Sequence, residues 1–215
     1  MKTVYFVRHG ESENNASDRY NEVDTQLSEK GRQQAMEIAK RCAKLPIELL
    51  ISSDMVRARQ TSKVIVSHNK VPIEVHDFFR ERISATSILG KRRDDPHAME
   101  VIRNSRANFH VPGWRFEDGE NFEDLKKRAL QGLELLEKKK EDSILVVSHG
   151  FFMRIMVAAL IFGRDLTSQE CMHIADGLGD LENTGLTVAN FLGDVGAGKR
   201  SSWLLRVWND HAHLG

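Results

Sequence analysis

Residues 3–10 read Thr3-Val4-Tyr5-Phe6-Val7-Arg8-His9-Gly10. The first five are β-branched or aromatic, the composition of a strand buried on both faces. The run stops at an arginine, a histidine and a glycine. The same pattern returns at Ser143-Ile144-Leu145-Val146-Val147, which runs into Ser148-His149-Gly150. A third apolar run, Leu49-Leu50-Ile51, ends in Ser52-Ser53 with Arg57 close behind. In parallel sheets, ligand sites form beyond the carboxyl ends of strands, so segments distant in sequence converge there. A glycine at such an exit allows a sharp turn and close approach of backbone to a ligand.

Helical spacing fills the gaps between these strands. Ala35, Ile38, Ala39 and Cys42 recur on one face after Ser28, and Pro46 closes that segment. Arg57–His68, Asn121–Lys139 and Phe151–Phe162 read as further helices, with Phe122, Leu125, Ala129, Leu133 and Leu136 in register in the second. Val71–Val75 is expected as a strand placed near an edge, or beginning there, by Pro72. Leu186–Phe191 and Trp203–Trp208 are expected as two strands joined by the glycine-rich turn Gly193 to Gly198. Alternating strands and helices predict an α/β fold, a three-layer α/β/α sandwich around a mostly parallel sheet. The stretch at about 84–113 breaks the pattern: it is polar, carries Pro96 and Pro112, and suggests only a short helix near Met99–Ile102. It is expected as an excursion that caps the site, within a single domain over residues 1–215.

Composition narrows the setting. Thirty-one basic and 31 acidic residues leave no net charge, so nothing pulls the chain globally toward nucleic acid or a membrane surface. The apolar stretch Phe151–Phe162 contains Arg154 and is too short to span a bilayer, which takes about 20 residues. Arg8, His9 and Glu11 interrupt the N-terminal apolar run, so it does not read as a secretory signal. Cys42 and Cys171 have no metal-site or disulfide spacing. A soluble, cytoplasmic protein is expected.

Two arginines and two histidines gathered at strand ends describe an anion site, and phosphate matches the forked donors of arginine. A neutral imidazole is a competent nucleophile. His9 is therefore expected to attack phosphorus, with Arg8, Arg57 and His149 balancing charge on the equatorial oxygens. Glu81, in Phe79-Arg80-Glu81 after the Val71–Val75 strand, is the candidate proton donor. A two-histidine, one-carboxylate metal site built from His9, His149 and Glu81 is the competing reading. Arg8 and Arg57 would repel the metal, which speaks against it. The other seven histidines read as surface or hydrogen-bonding residues.

At this point the motifs resemble the histidine phosphatase superfamily, the phosphoglycerate mutase-like fold. Arg8-His9-Gly10-Glu11 is similar to its signature, and Ser12-Glu13-Asn14-Asn15 to the continuation. Gly31-Arg32-Gln33-Gln34-Ala35, then Ser52-Ser53 with Arg57-Ala58, Phe79-Arg80-Glu81, Gly119-Glu120, Val147-Ser148-His149-Gly150 and Asn183-Thr184-Gly185 follow in family order, from about residue 3 to 208. The resemblance implies His9 as nucleophile, Arg8, Arg57 and His149 as the phosphate pocket, Glu81 as proton donor, and Ser12, Asn15 and Gly150 as phosphate or substrate contacts. It implies no metal and no cofactor. Glu11 and Glu120 read as structural, since a carboxylate beside phosphate is repulsive. The mutase branch carries Arg-His-Tyr-Gly after its acidic residue, whereas here Glu81 is followed by Arg82-Ile83-Ser84-Ala85. Hydrolysis of phosphate monoesters is thus expected ahead of mutase-type transfer or a non-catalytic binding module. The partner implied is a phosphorylated small molecule, with Lys91, Arg92 and Arg93 either contacting it or forming a solvated charge run. The oligomeric state is left open between monomer and homodimer.

Overall fold

The computed structural model describes residues 1–193 and 202–215. Strand β1 (Lys2–Arg8) leads through the short helix α1 (Glu13–Ala16) to α2 (Glu29–Cys42). Strand β2 (Leu49–Ser52), helix α3 (Val56–Asn69) and strand β3 (Ile73–Val75) follow. Helices α4 (Pro96–Ala107) and α5 (Phe122–Lys138) come before β4 (Ser143–Ser148), α6 (Gly150–Phe162) and α7 (Ser168–Gly177). Strands β5 (Leu186–Phe191) and β6 (Trp203–Asp210) complete a six-stranded sheet in the order β3-β2-β4-β1-β5-β6. The first three pairings are parallel and the last two antiparallel.

Both sheet faces are covered, which makes the central strands continuously apolar. Alternate residues serve opposite cores. Val4, Phe6, Ile144 and Val146 pack with α5 and α6 through Leu125, Leu133, Phe152 and Ile155. Val7, Leu145, Val147 and Leu50 pack with α2 and α3 through Ile38, Ala39, Ala58 and Ile65. The three-layer expectation holds. Pro72 immediately precedes β3, an edge strand, as its missing N–H requires. The expected glycine-rich turn between β5 and β6 lies, from residue 194 onward, outside the described residues. Cys42 and Cys171 are buried free thiols, pushed up to about 12 by that burial. Among the described residues no helix is long and apolar enough to cross a membrane.

The excursion is more regular than its sequence suggests. The short helix expected near Met99–Ile102 is three turns long, because Asp95 caps it by accepting from the Ala98 N–H at 3.0 Å and Pro96 occupies the first turn. Proline is suited to that position, where its missing N–H costs nothing. Ala85, Ile88, Ala98 and Val101 form a small core of their own, against which Tyr20 and Phe116 pack. Backbone bonds from Tyr20 N–H to Lys91 O (2.9 Å) and from Gly90 N–H to Tyr20 O (3.0 Å) tie the excursion to the loop after α1. Helix α7 has no counterpart in the sequence reading, although Thr167 and Glu170 form a reciprocal capping box at its start.

Candidate active site

Parallel pairing of β1 with β4 sets Arg8 beside Ser148 and releases His9 and His149 at the same level of the sheet. Their rings lie 4.9 Å apart between centroids. Strand β2, on the other side of β4, ends at Ser52-Ser53 and delivers Arg57 on the first turn of α3. His9, His149 and Arg57 are 2%, 0% and 1% exposed, so each polar atom must find a partner inside the protein or in a ligand.

A backbone carbonyl fixes the His9 tautomer. Gly10 O, which can only accept, lies 2.6 Å from His9 Nδ1, so that nitrogen carries the proton. His9 Nε2 is then a lone pair, and Arg57 Nε donates to it at 3.2 Å. Ser53 Oγ accepts from Met55 N–H at 3.3 Å and shares a hydrogen bond with His149 Nε2 at 2.9 Å. His149 Nδ1 has no partner among the described residues. Burial, reinforced by Arg57 and Arg8, holds His9 well below the ordinary imidazole value. Burial and Arg57 do the same to His149. Both rings are neutral at physiological pH.

The two guanidiniums lack carboxylate partners within ion-pair distance among the described residues. Arg57 donates to Glu22 O at 2.9 Å and to Met55 Sδ at 3.2 Å; burial brings it down to about 10, still charged at neutral pH. Arg8 donates through Nη1 to Leu181 O, while its Nε is buried without a partner. Gly150 opens α6 against that guanidinium; a Cβ there would sit 3.3 Å from Arg8 Nε. Glu81 is held at the N-terminus of α6, accepting from Phe151 N–H at 3.1 Å and Phe152 N–H at 2.9 Å. Helix N-termini favour such an anion.

Other expected residues take different places. Ser12 is fully buried and caps α1: its Oγ accepts from Asn15 N–H at 3.1 Å and donates to Asn21 Oδ1 at 2.6 Å. Its hydroxyl is thereby committed to the loop. Asn15 Oδ1 completes the box by accepting from Ser12 N–H at 3.4 Å, with its side-chain N–H donors left over. Glu11 accepts from Ser28 Oγ at 2.8 Å. Glu120 accepts from Ile83 N–H at 2.8 Å and pairs with Arg128 at 2.7 Å. Gly10 is needed for a reason other than ligand approach: a Cβ there would lie 2.4 Å from Gly31 O. Lys91, Arg92 and Arg93 pair with Asp95, Asp94 and Asp18 at the surface.

Several supporting residues, among them members of the motifs already noted, had no role assigned from sequence. Asn183 Nδ2 donates to His9 O at 2.9 Å, and Thr184 N–H to Arg8 O at 3.0 Å from a left-handed φ of 65°. Thr61 Oγ1 receives Gly10 N–H at 3.1 Å. Arg128 donates to Phe78 O at 3.1 Å and Arg80 O at 2.7 Å, fixing the segment that carries Glu81. Only the Glu120 position, already singled out, could have drawn attention to Arg128.

The two-histidine, one-carboxylate metal reading does not fit. Arg57, charged and 3.2 Å from His9 Nε2, would repel a cation at that nitrogen while it favours an anion. No cluster of three or more His, Cys, Asp or Glu suited to a metal exists among the described residues. The arrangement is instead suited to an anion: two guanidiniums without carboxylate partners among the described residues, and an unprotonated His9 Nε2 beside one of them.

Comparison with known proteins agrees. A family model described as histidine phosphatase superfamily (branch 1) matches residues 4–203. A metal-independent phosphoserine phosphatase of Arabidopsis thaliana is 27% identical over 219 aligned residues, covering 98% of this chain and 82% of that protein. A probable phosphoglycerate mutase GpmB of Escherichia coli K12 is 34% identical over 165 residues, covering 75% of each chain. Among solved structures, Bacillus stearothermophilus YhfR superposes with a TM-score of 0.79 at 25% identity, covering all of both chains.

Proposed function

The chain belongs to the histidine phosphatase superfamily (branch 1), and from that membership we propose that it hydrolyses small phosphate monoesters through a phosphohistidine on His9. The observation that carries the reading is the His9 tautomer. With Nδ1–H given to Gly10 O at 2.6 Å, the lone pair on Nε2 faces the arginines.

In this reading a dianionic phosphoryl group balances Arg8 and Arg57, and takes hydrogen bonds from them, from His149 and from the side-chain amide of Asn15. Ser12 acts through Asn15, and Gly150 by giving Arg8 room. Nε2 attacks phosphorus as the ester P–O bond breaks, and Glu81 delivers a proton to the departing oxygen. Water then attacks the phosphohistidine, gives its proton to Glu81, and the N–P bond breaks to release phosphate. Residues 1–215 act as one cytoplasmic domain, with residues 84–113 covering the leaving-group side. Hydrolysis is favoured over mutase-type transfer because Arg82-Ile83-Ser84 replaces the mutase run after Glu81.

The test is to quench turnover of a radiolabelled ester in alkali and look for label on the protein. An alkali-stable, acid-labile adduct is expected in wild type and none in His9→Ala. A His9→Ala protein that keeps near-normal turnover overturns the mechanism.

A further inference from the structure

The turn before β5 holds the end of β1, and it is itself held by residues that follow β6. Asn183 Nδ2 donates to His9 O and Thr184 N–H to Arg8 O, while Arg8 N–H donates to Gly185 O at 3.3 Å. Thr184 is fully buried and lies in the left-handed region, at φ 65°. That region is unfavourable for a β-branched residue and persists only where the surroundings enforce it. Asn209 fixes one end of the turn: its Oδ1 accepts from Glu182 N–H at 3.0 Å, and a Cβ on Gly185 would lie 2.1 Å from that oxygen. At Thr184 itself the partner is His213, in the short turn Ala212–Leu214, whose Nε2 lies 3.1 Å from Thr184 Oγ1.

Neighbours set the direction of each bond. Asn183 O can only accept, so the Thr184 hydroxyl donates to it, at 2.6 Å. Thr184 Oγ1 therefore accepts from His213 Nε2–H. On the other side of the ring, Arg41 Nη1 can only donate, and it lies 3.3 Å from His213 Nδ1. A neutral ring with its proton on Nε2 and a lone pair on Nδ1 satisfies both neighbours. Burial and then Arg41 lower the His213 pKa, and His211 adds to this; Asp210 and Glu37 oppose it. Arg41 is fixed in turn by Asp210, which also accepts from Ala212 N–H at 3.0 Å and so opens the turn that carries His213. Donors thus point one way along Arg41, His213, Thr184 and Asn183 O, from α2 to the residue whose amide holds His9.

We propose that His213 is a positioning residue for phosphoryl transfer: it locks the Asn183–Thr184 turn, and through that turn the backbone of Arg8 and His9, in the geometry the attack requires. It acts without touching the reacting atoms. Aligned hydrogen bonds reinforce one another, so removing the ring loosens the Thr184 hydroxyl and lets the strained backbone relax. This rests on the hydrolase reading and adds a residue remote in sequence from every motif of the site.

His213→Leu and His213→Gln separate a positioning role from mere packing, because the amide side chain offers an N–H in place of Nε2–H and an oxygen in place of the Nδ1 lone pair. With p-nitrophenyl phosphate, kcat in His213→Leu should fall about 3- to 10-fold, the worth of one hydrogen bond, with KM within about twofold of wild type. His213→Gln should recover most of that loss. In a Thr184→Val background, where the acceptor is already gone, His213→Leu should cost little more. Hydrogen exchange gives a readout that needs no turnover: relative to Val146 in the β4 ladder, the Thr184 amide should exchange about 3- to 10-fold faster in His213→Leu and at nearly the wild-type rate in His213→Gln. The ratio is taken within one folded protein, so a general loss of stability cancels. A wild type that hydrolyses no ester, with the exchange pattern as expected, would reject the hydrolase reading alone. In an active enzyme, an unchanged kcat in His213→Leu, equal losses in both variants, or a loss carried by KM overturns the proposal, as does an exchange ratio that His213→Leu leaves unchanged.

Discussion

The side-chain amide of Asn183 donates to the backbone carbonyl of His9 at 2.9 Å, across 174 residues of sequence. Together with Thr184 N–H to Arg8 O, it pins the backbone of the proposed nucleophile from the segment that leads into β5. Asn183→Ala should lower kcat about tenfold, the worth of one hydrogen bond, while KM changes little. Steady-state kinetics decide it; a loss confined to KM would assign Asn183 to substrate binding instead.

Glu81→Gln keeps an acceptor for the α6 amides but has no proton to give. Alkyl phosphates should lose about 10²- to 10⁴-fold in rate, whereas p-nitrophenyl phosphate, whose leaving group needs no proton, should lose far less in the first step. Pre-steady-state bursts resolve the two steps. Equal losses for both esters would remove Glu81 from the acid role.

Burial of two neutral imidazoles couples stability to pH. His9 and His149 are held well below 6.5 in the folded protein by burial and then by the nearby arginines. The unfolded chain binds protons at both rings as pH drops below about 6.5, and the folded protein does not. Stability is therefore present in full above that value and declines as pH falls, by up to ~2.7 kcal/mol per pH unit for the two sites, until the folded-state values are reached. Urea midpoints at pH 7.5 and 5.5 measure the decline, and His149→Gln should roughly halve its slope. Equal midpoints at both pH values would contradict the neutral pair.

Gly31→Ala tests the contact beneath the nucleophile loop. An added Cβ would lie 1.9 Å from Glu11 O, a backbone atom that cannot move without displacing His9's neighbours. Destabilisation of about 2–3 kcal/mol is expected, with loss of phosphoenzyme in the protein that remains folded. Thermal melts and labelling check the two parts separately; wild-type behaviour in both would refute the contact.

The sequence was most informative where burial is complete. β1 and β4 are apolar without interruption because helices cover both faces, and their abrupt polar ends marked His9 and His149. Amphipathic α2 and α5 announced themselves by spacing. What stayed illegible was held by local chemistry that competes with a stronger cue. Pro96 reads as a breaker until Asp95 is seen to cap the helix it begins. Ser12 reads as a ligand contact because the sequence does not show its hydroxyl shared between the Asn15 N–H, three residues on, and Asn21 Oδ1, nine residues on. Asn183 and Thr61 stand in recognisable motifs, but the contacts that they and Arg128 make are to backbone atoms of remote segments, which leave no trace in sequence.

Because β1 and β4 are adjacent and in register from Thr3–Ser143 to Arg8–Ser148, the two histidines are mounted on the most protected ladder of the sheet. In the function proposed here, the leaving-group side is covered by other pieces: the segment after β3, the small satellite core and the loop after α1. Ability to cleave any phosphate ester should therefore persist until the whole sheet melts, while discrimination among esters fades earlier, as the satellite core loosens. Durability and selectivity reside in separate cooperative units, and insertions in the second can diversify the substrate without endangering the first.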